Sequence, residues 1–289
     1  MATVLLADFF DTTYLPLKLR SRSANTIRLY RHTVASFSRW LGRPATLEDL
    51  TDDAVSAYLA SLNARGLSPY TVNKERSQLL AIWNYAARKK FVPVFPDVAP
   101  ETLPKRVPQA WTVEDLSALL DACHSEPGTI SGVPAADWWV SLHLVIYDTA
   151  ERIGAVLELR WGDYQPPWLL IPAESRKGRR ADKLHKLGAD TQSALARIRP
   201  PDRDLIWPWP RTQHTLYYHY NRILRRAGLP HDGRCKFHRL RRTVASYYEA
   251  ACGNASQLLG HTSRRTTEAY LDPRIVRTAQ PCDLLRRLR

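Results

Sequence analysis

Residues 258–270 read Leu258, Leu259, Gly260, His261, Thr262, Ser263, Arg264, Arg265, Thr266, Thr267, Glu268, Ala269, Tyr270. Upstream stand His238, Arg239, Leu240 and Arg241, and further upstream Glu151, Arg152, Ile153 and Gly154. On a helix His238 and Arg241, three apart, share a face, so one element presents an imidazole beside a guanidinium. A guanidinium fork matches phosphate oxygens. An imidazole takes up protons near neutral pH, and a tyrosine hydroxyl becomes a nucleophile beside a base or cations. Two arginines, two histidines and a tyrosine together suit attack on a phosphate by a tyrosine hydroxyl.

The rest of the chain agrees with an anionic partner. Its 289 residues carry 42 Lys+Arg against 28 Asp+Glu, a net charge of +14, and nucleic acid is the commonest polyanion. Arginine outnumbers lysine, which suits bidentate phosphate contacts. The length is enough for two domains with real cores. The cysteines at 123, 235, 252 and 282 form neither a C-x-x-C pair nor a zinc-spaced cluster, and read as reduced thiols. Neither a signal-peptide pattern nor an apolar run of ~20 residues occurs. These features predict a cytoplasmic, nucleoid-associated protein without a membrane partner.

Residues 1–92 read as a small helical bundle. Ile27, Tyr30, Val34, Phe37 and Leu41 recur at helix spacing after Asn25, a good cap. Thr51 opens a second helix that carries Val55, Tyr58, Leu59 and Leu62 to Gly66. Ser68 and Pro69 open a third, with a buried stripe of Val72, Leu79, Ile82, Trp83 and Ala86. Prolines at 93, 96, 100, 104 and 108 mark residues 93–109 as an extended linker. A second domain, 110–289, starts where Thr112 and Asp115 resemble a capping box. Helices are expected through Leu116–Leu120, from about Asp137 to Ile146, and again near Asp190, Thr212, Phe237, Ala255 and Thr266. Between them Trp168–Ile171 reads as a strand, Arg176–Arg180 as a hairpin turn and Leu184–Leu187 as the returning strand. The expected class is mainly α with a small antiparallel sheet.

The ordered set Arg152, His238, Arg241, His261 and Tyr270 resembles the tyrosine recombinases, or phage integrase family. The stretch from Thr149 to Asp163 matches that family's small-residue turn, Arg, then Leu-x-Trp-x-Asp. The resemblance covers nearly the whole chain. It implies a helical core-binding bundle (1–92), a linker (93–109) and an α+β catalytic domain (110–289) with a C-terminal tail. It implies a site-specific recombinase that cuts and rejoins DNA through a 3′-phosphotyrosyl link, with neither ATP nor metal nor other cofactor. Its partner is double-stranded DNA with paired half-sites, bound by a homotetramer that exchanges strands through a Holliday junction and is monomeric when free. A tyrosine-type topoisomerase and a DNA-binding relative without catalysis are the alternatives.

Within that resemblance Tyr270 is the nucleophile and His238 its proton acceptor, since a phenol of pKa near ~10 needs help at neutral pH. Arg152 and Arg241 hold the phosphate, and His261 completes the catalytic set. Lys177 is the general acid that protonates the leaving oxygen, with Lys183 and Lys186 as rivals. The family has an acidic residue three positions after its first arginine, where this chain has Ala155; Glu151 and Glu158 are the substitutes to consider. On the third helix Thr71, Asn73, Lys74 and Ser77 resemble family DNA contacts, or form a solvated face. Leu284, Leu285 and Leu288 give the tail an apolar edge, expected to dock on a neighbouring protomer or on its own domain. Little sequence precedes the bundle, so no separate arm-binding domain is expected.

Overall fold

A computed structural model describes residues 3–176, 181–199, 203–233 and 236–276. The chain divides into two compact units, Met1–Lys105 and Arg106–Arg289. None of the described helices is long and apolar enough to cross a membrane.

The first unit is a bundle. Helix α1 (Leu6–Phe9) runs on as wider, π-type turns over Phe10–Leu19. It is followed by α2 (Ala24–Leu41), α3 (Asp52–Ala64) and α4 (Pro69–Arg88). Thr51 and Ser68 cap α3 and α4 through their side chains, and Pro69 occupies the first turn of α4, where its missing N–H costs nothing. Helix α2 starts earlier than its apolar stripe suggests. Ser23, not Asn25, is its cap, accepting from the Thr26 N–H at 3.3 Å, while Asn25 accepts from Arg28 at 2.7 Å. Both residue types cap well, and the earlier start adds helical hydrogen bonds. Phe37, Tyr58, Leu62, Val72, Leu79, Ile82 and Trp83 are buried, each large apolar side chain contributing roughly 1.5–3 kcal/mol.

The proline-rich stretch is less free than a linker. Residues 91–105 belong to the first unit, with Val92 and Val98 buried in its core. The Trp83 indole donates to the Val94 carbonyl at 2.7 Å, and Arg76 Nε donates to the Val98 carbonyl at 2.7 Å. Asn73 exchanges two 2.8 Å hydrogen bonds with the Glu101 backbone. Proline removes donors from this stretch, and α4 side chains satisfy the carbonyls that remain.

The second unit is α+β. Helix α5 (Val113–His124) begins with the Thr112/Asp115 capping box. A short hairpin, β1 (Thr129–Ile130) with β2 (Val133–Pro134), leads into α6 (Ala135–Thr149). Helix α6 is apolar around most of its circumference, which makes it the centre of the core. Trp138, Trp139, Leu142, Val145 and Ile146 on it are fully buried. After α7 (Ile153–Val156) comes an antiparallel sheet of β3 (Tyr164–Gln165), β4 (Trp168–Ile171) and β5 (Lys183–Lys186), in that order. Leu169 and Ile171 face the core and pair with His185 and Lys183, so those two polar residues share the inner face. Lys186 pairs with exposed Trp168 on the outer face. Helices α8 (Ala189–Arg197), α9 (Gln213–Arg226), α10 (Phe237–Ala250), α11 (Ala255–Leu259) and α12 (Arg264–Glu268) complete the unit.

Candidate active site

Four chain segments of the second unit meet around Tyr270. The first is the turn after α6. Ala150 adopts φ 50°, a left-handed conformation unfavourable for a residue with a Cβ. The turn is held because its carbonyl accepts a hydrogen bond from the Arg241 guanidinium. It delivers Glu151 into the interior and Arg152 to the cap position of α7. The second segment is α10, which carries His238 and Arg241 one turn apart. The third is the turn after α11, where Gly260 has φ 67°. The positive φ favours glycine, and a Cβ there would require the tip of the Arg176 side chain, 2.6 Å away, to shift. The fourth is α12 and the turn after it, which ends on Tyr270 with its N–H bonded to the Thr267 carbonyl at 2.7 Å.

The Tyr270 hydroxyl lies 2.7 Å from His238 Nε2. Its ring centroid is 5.1 Å from that of His238 and 5.0 Å from that of His261, so the phenol stands between two imidazoles. His261 Nδ1 contacts the Thr267 hydroxyl at 3.1 Å, which fixes the ring. The environment is strongly cationic. Partial burial, then Arg242, Arg241 and Arg152, push the His238 pKa down to about 4, so the ring is neutral at neutral pH, and in its Nδ1–H tautomer Nε2 accepts from the Tyr270 hydroxyl. His261 is lowered too, by burial and then Arg241 and Arg152.

Below the phenol lies a buried ion cluster. Arg241 is 1% exposed and donates to the Leu259 carbonyl at 2.8 Å. Burial lowers its pKa to about 10, still well above neutrality. Glu151, also 1% exposed, stands 3.6 Å from Arg241, 3.2 Å from Arg176 and 3.9 Å from Lys183. Lys183 also donates to the carbonyls of Gln257, at 2.8 Å, and Leu258. Burial pulls its pKa to about 8, against the raising effect of Glu151. The Arg152 guanidinium, half-buried, has no hydrogen bond or ion pair among the described residues, although its charge reaches Arg241, His238, His261 and Lys183.

Comparison with known proteins follows the same lines. Residues 12–90 match the phage integrase N-terminal SAM-like domain. The fold is similar to a lambda integrase dimer bound to a COC′ core site, with TM-score 0.74 and 20% identity over 96% of this chain and 98% of that one. It is similar to XerH site-specific recombinase bound to a palindromic difH substrate, with TM-score 0.66 and 20% identity over 91% and 80%. The Tn1549 transposon integrase in complex with circular intermediate DNA aligns with TM-score 0.69 and 13% identity over 97% and 98%. No curated protein matches by sequence. The chain thus carries a phage integrase N-terminal SAM-like domain at residues 12–90, and its fold is that of lambda integrase.

Within the tyrosine recombinase fold, the five residues Arg152, His238, Arg241, His261 and Tyr270 come together. Lys177 lies outside the described residues, as does the tail with Leu284, Leu285 and Leu288. Of its rivals, Lys183 is in the cluster and Lys186 is on the opposite sheet face. Glu151 supplies the buried carboxylate, whereas Glu158 is exposed. On α4, two of the four expected DNA contacts are already engaged: Asn73 with the Glu101 backbone and Lys74 with buried Glu75. Packing of residues 91–105 on α4 takes up these polar groups. Thr71 is half-buried at the helix start, and Ser77 is exposed. Sequence reasoning missed Arg176 and His185. His185 follows Lys183 by two on β5, a spacing that puts both on one face.

The core itself gives a pH dependence. His143 on α6 is 2% exposed, and burial lowers its pKa to about 4. In the unfolded chain it titrates near ~6.5. Between those values the unfolded state binds more protons, so stability rises with pH and falls as pH drops from about 6.5 towards 4. The urea midpoint is expected to decline from pH 7 to pH 5, and His143→Gln to flatten that decline. An unchanged pH slope in the variant contradicts the assignment.

Proposed function

We propose that the chain is a site-specific DNA recombinase that cuts and rejoins DNA through a 3′-phosphotyrosyl intermediate. The observation that supports this most directly is the 2.7 Å contact between Tyr270 and a neutral His238 in a cationic surrounding that includes Arg152, Arg241 and Arg242. In the proposed reaction the Tyr270 oxygen attacks a DNA phosphorus and its proton passes to His238 Nε2. The P–O5′ bond breaks, and the 3′-phosphate stays on Tyr270. Arg152, Arg241 and His261 stabilise the charge that grows on the non-bridging oxygens. Bond energy is kept in the ester, so a 5′-hydroxyl reverses the step.

Residues 1–92 act as the core-binding domain, 93–109 connect, and 110–289 carry the chemistry. Thr71, Asn73, Lys74 and Ser77 on α4 are the contacts proposed for DNA, Asn73 and Lys74 being also engaged with Glu101 and Glu75. The working assembly is a tetramer on paired half-sites that passes through a Holliday junction, in the cytoplasm with the nucleoid. Trapping on a nicked duplex tests the reading. Cleavage beside the nick releases a short strand, so rejoining fails and a denaturant-stable protein–DNA band accumulates. Duplex binding without that band would make the chain a DNA-binding relative instead.

The leaving 5′-oxygen needs a proton, and two lysines compete to supply it. Lys183, with its pKa near 8, is poised to give one up at neutral pH. Lys177, six residues earlier in the sequence, is the other candidate. A bridging 5′-phosphorothiolate leaves without protonation. It is expected to restore cleavage to whichever of Lys177→Ala and Lys183→Ala lacks the acid, and to leave Arg152→Ala impaired. Rescue of Arg152→Ala would contradict the role given to that arginine.

A further inference from the structure

Arg242 is the one cation of the described site without an assigned task. It follows Arg241 on α10 and lies four residues after His238, so it shares the His238 face of that helix. Its guanidinium carbon is 5.7 Å from the centre of the Tyr270 ring. It is half-buried, and its Nε is shielded from solvent with no hydrogen-bond partner. Among the described residues no carboxylate or carbonyl accepts from any nitrogen of this guanidinium.

That arrangement is unfavourable in the free protein. A shielded donor left unmade costs about 1–3 kcal/mol, and the neighbours make matters worse. His238 and His261 flank the same phenol, the Arg241 charge reaches it, and the Arg152 charge reaches both imidazoles. The nearby acids are committed elsewhere. Glu151 serves Arg241, Arg176 and Lys183, and Asp272 serves Arg274 and the Ala110 N–H. Stacking on the Tyr270 ring contributes little beside these costs, of the order of 0.5–1 kcal/mol at an exposed site. A planar guanidinium whose donors go unused beside a nucleophile is matched by a tetrahedral oxyanion.

We propose that Arg242 is a third phosphate-binding arginine of the site, donating to a non-bridging oxygen of the DNA phosphate that Tyr270 attacks. The proposal rests on the recombinase reading. It adds a residue whose charge does two things. It neutralises the phosphate as the pentacoordinate state forms, and it keeps His238 unprotonated until the phenol's proton arrives.

Two measurements test it, each with its own reference. The first is duplex binding against salt in a Tyr270→Phe background, which cannot cleave. Arg242→Ala is expected to reduce the slope of log K against log salt by about 0.9, the value for one lost phosphate contact. The second is the single-turnover rate of covalent complex formation. It is expected to fall about 10- to 100-fold in Arg242→Ala, the size of one charged hydrogen bond, and to lie between the two in Arg242→Lys, which keeps the charge without the fork. The urea midpoint is expected not to fall, since the side chain makes no hydrogen bond to the described protein and its removal relieves a shielded, unpaired donor. An unchanged salt slope overturns the proposal whatever the rate does. Absence of a covalent complex in the unsubstituted protein would instead remove the recombinase reading, and the salt slope would still decide whether Arg242 meets a phosphate.

Discussion

Replacing Tyr270 by Phe is expected to abolish covalent attachment to DNA while leaving duplex affinity within about twofold, because the many other basic residues hold the duplex. The ring is partly buried against the core of the second unit and lies between the His238 and His261 rings. Phe keeps that packing and deletes only the oxygen 2.7 Å from His238. The hydroxyl has no other protein partner among the described residues, so the fold is expected to be unaffected. Trapping gels and gel-shift titrations on the same nicked duplex provide both numbers. A normal covalent band from Tyr270→Phe would place the nucleophile elsewhere.

The two assigned phosphate arginines are expected to fail in different ways. Arg241→Ala and Arg152→Ala should each slow cleavage by roughly two or more orders of magnitude, as loss of a transition-state charge partner does. Only Arg241→Ala should also destabilise the fold. Arg241 is buried, bonds the carbonyls of Ala150 and Leu259, and faces Glu151. Breaking a buried ion pair from one side costs about 3–5 kcal/mol. Arg152 makes no such bonds among the described residues, so its removal is expected to leave the urea midpoint in place. Arg241→Lys keeps a charge and provides a folded comparison if Arg241→Ala does not accumulate. Equal loss of stability in the Arg152 and Arg241 variants would contradict this division of roles.

Much of the fold is legible in the sequence because local chemistry and burial agree. The Thr112/Asp115 capping box, Ser68 with Pro69, and the short apolar run Trp168–Ile171 each fix an element by short-range rules, and each element is there. The start of α2 is not legible in the same way, because Ser23 and Asn25 are both good caps and only backbone geometry separates them. The site is legible where residues share a helix, as His238 and Arg241 do. It is less so where the sheet brings residues in. Lys183 and His185 reach the inner sheet face through their register with Ile171 and Leu169, which periodicity alone does not set. Glu151 is visible in the sequence as a charge beside Arg152. That it is buried, and that Arg176 completes its pairing, depends on the left-handed turn at Ala150. The engagement of Asn73 depends on residues 91–105 folding back onto α4, which a run of prolines does not announce. That of Lys74 depends on the burial of its neighbour Glu75.

The central claim is that the Tyr270 oxygen becomes bonded to a DNA 3′-phosphate. Its most direct test is peptide mapping of the protein trapped on a nicked duplex drawn from the DNA flanking its own gene. After nuclease and protease digestion, mass spectrometry is expected to find a residual nucleotide on the peptide containing Tyr270, joined through a 3′-phosphate. A nucleotide on a different residue, or a link through a 5′-phosphate, would contradict the account.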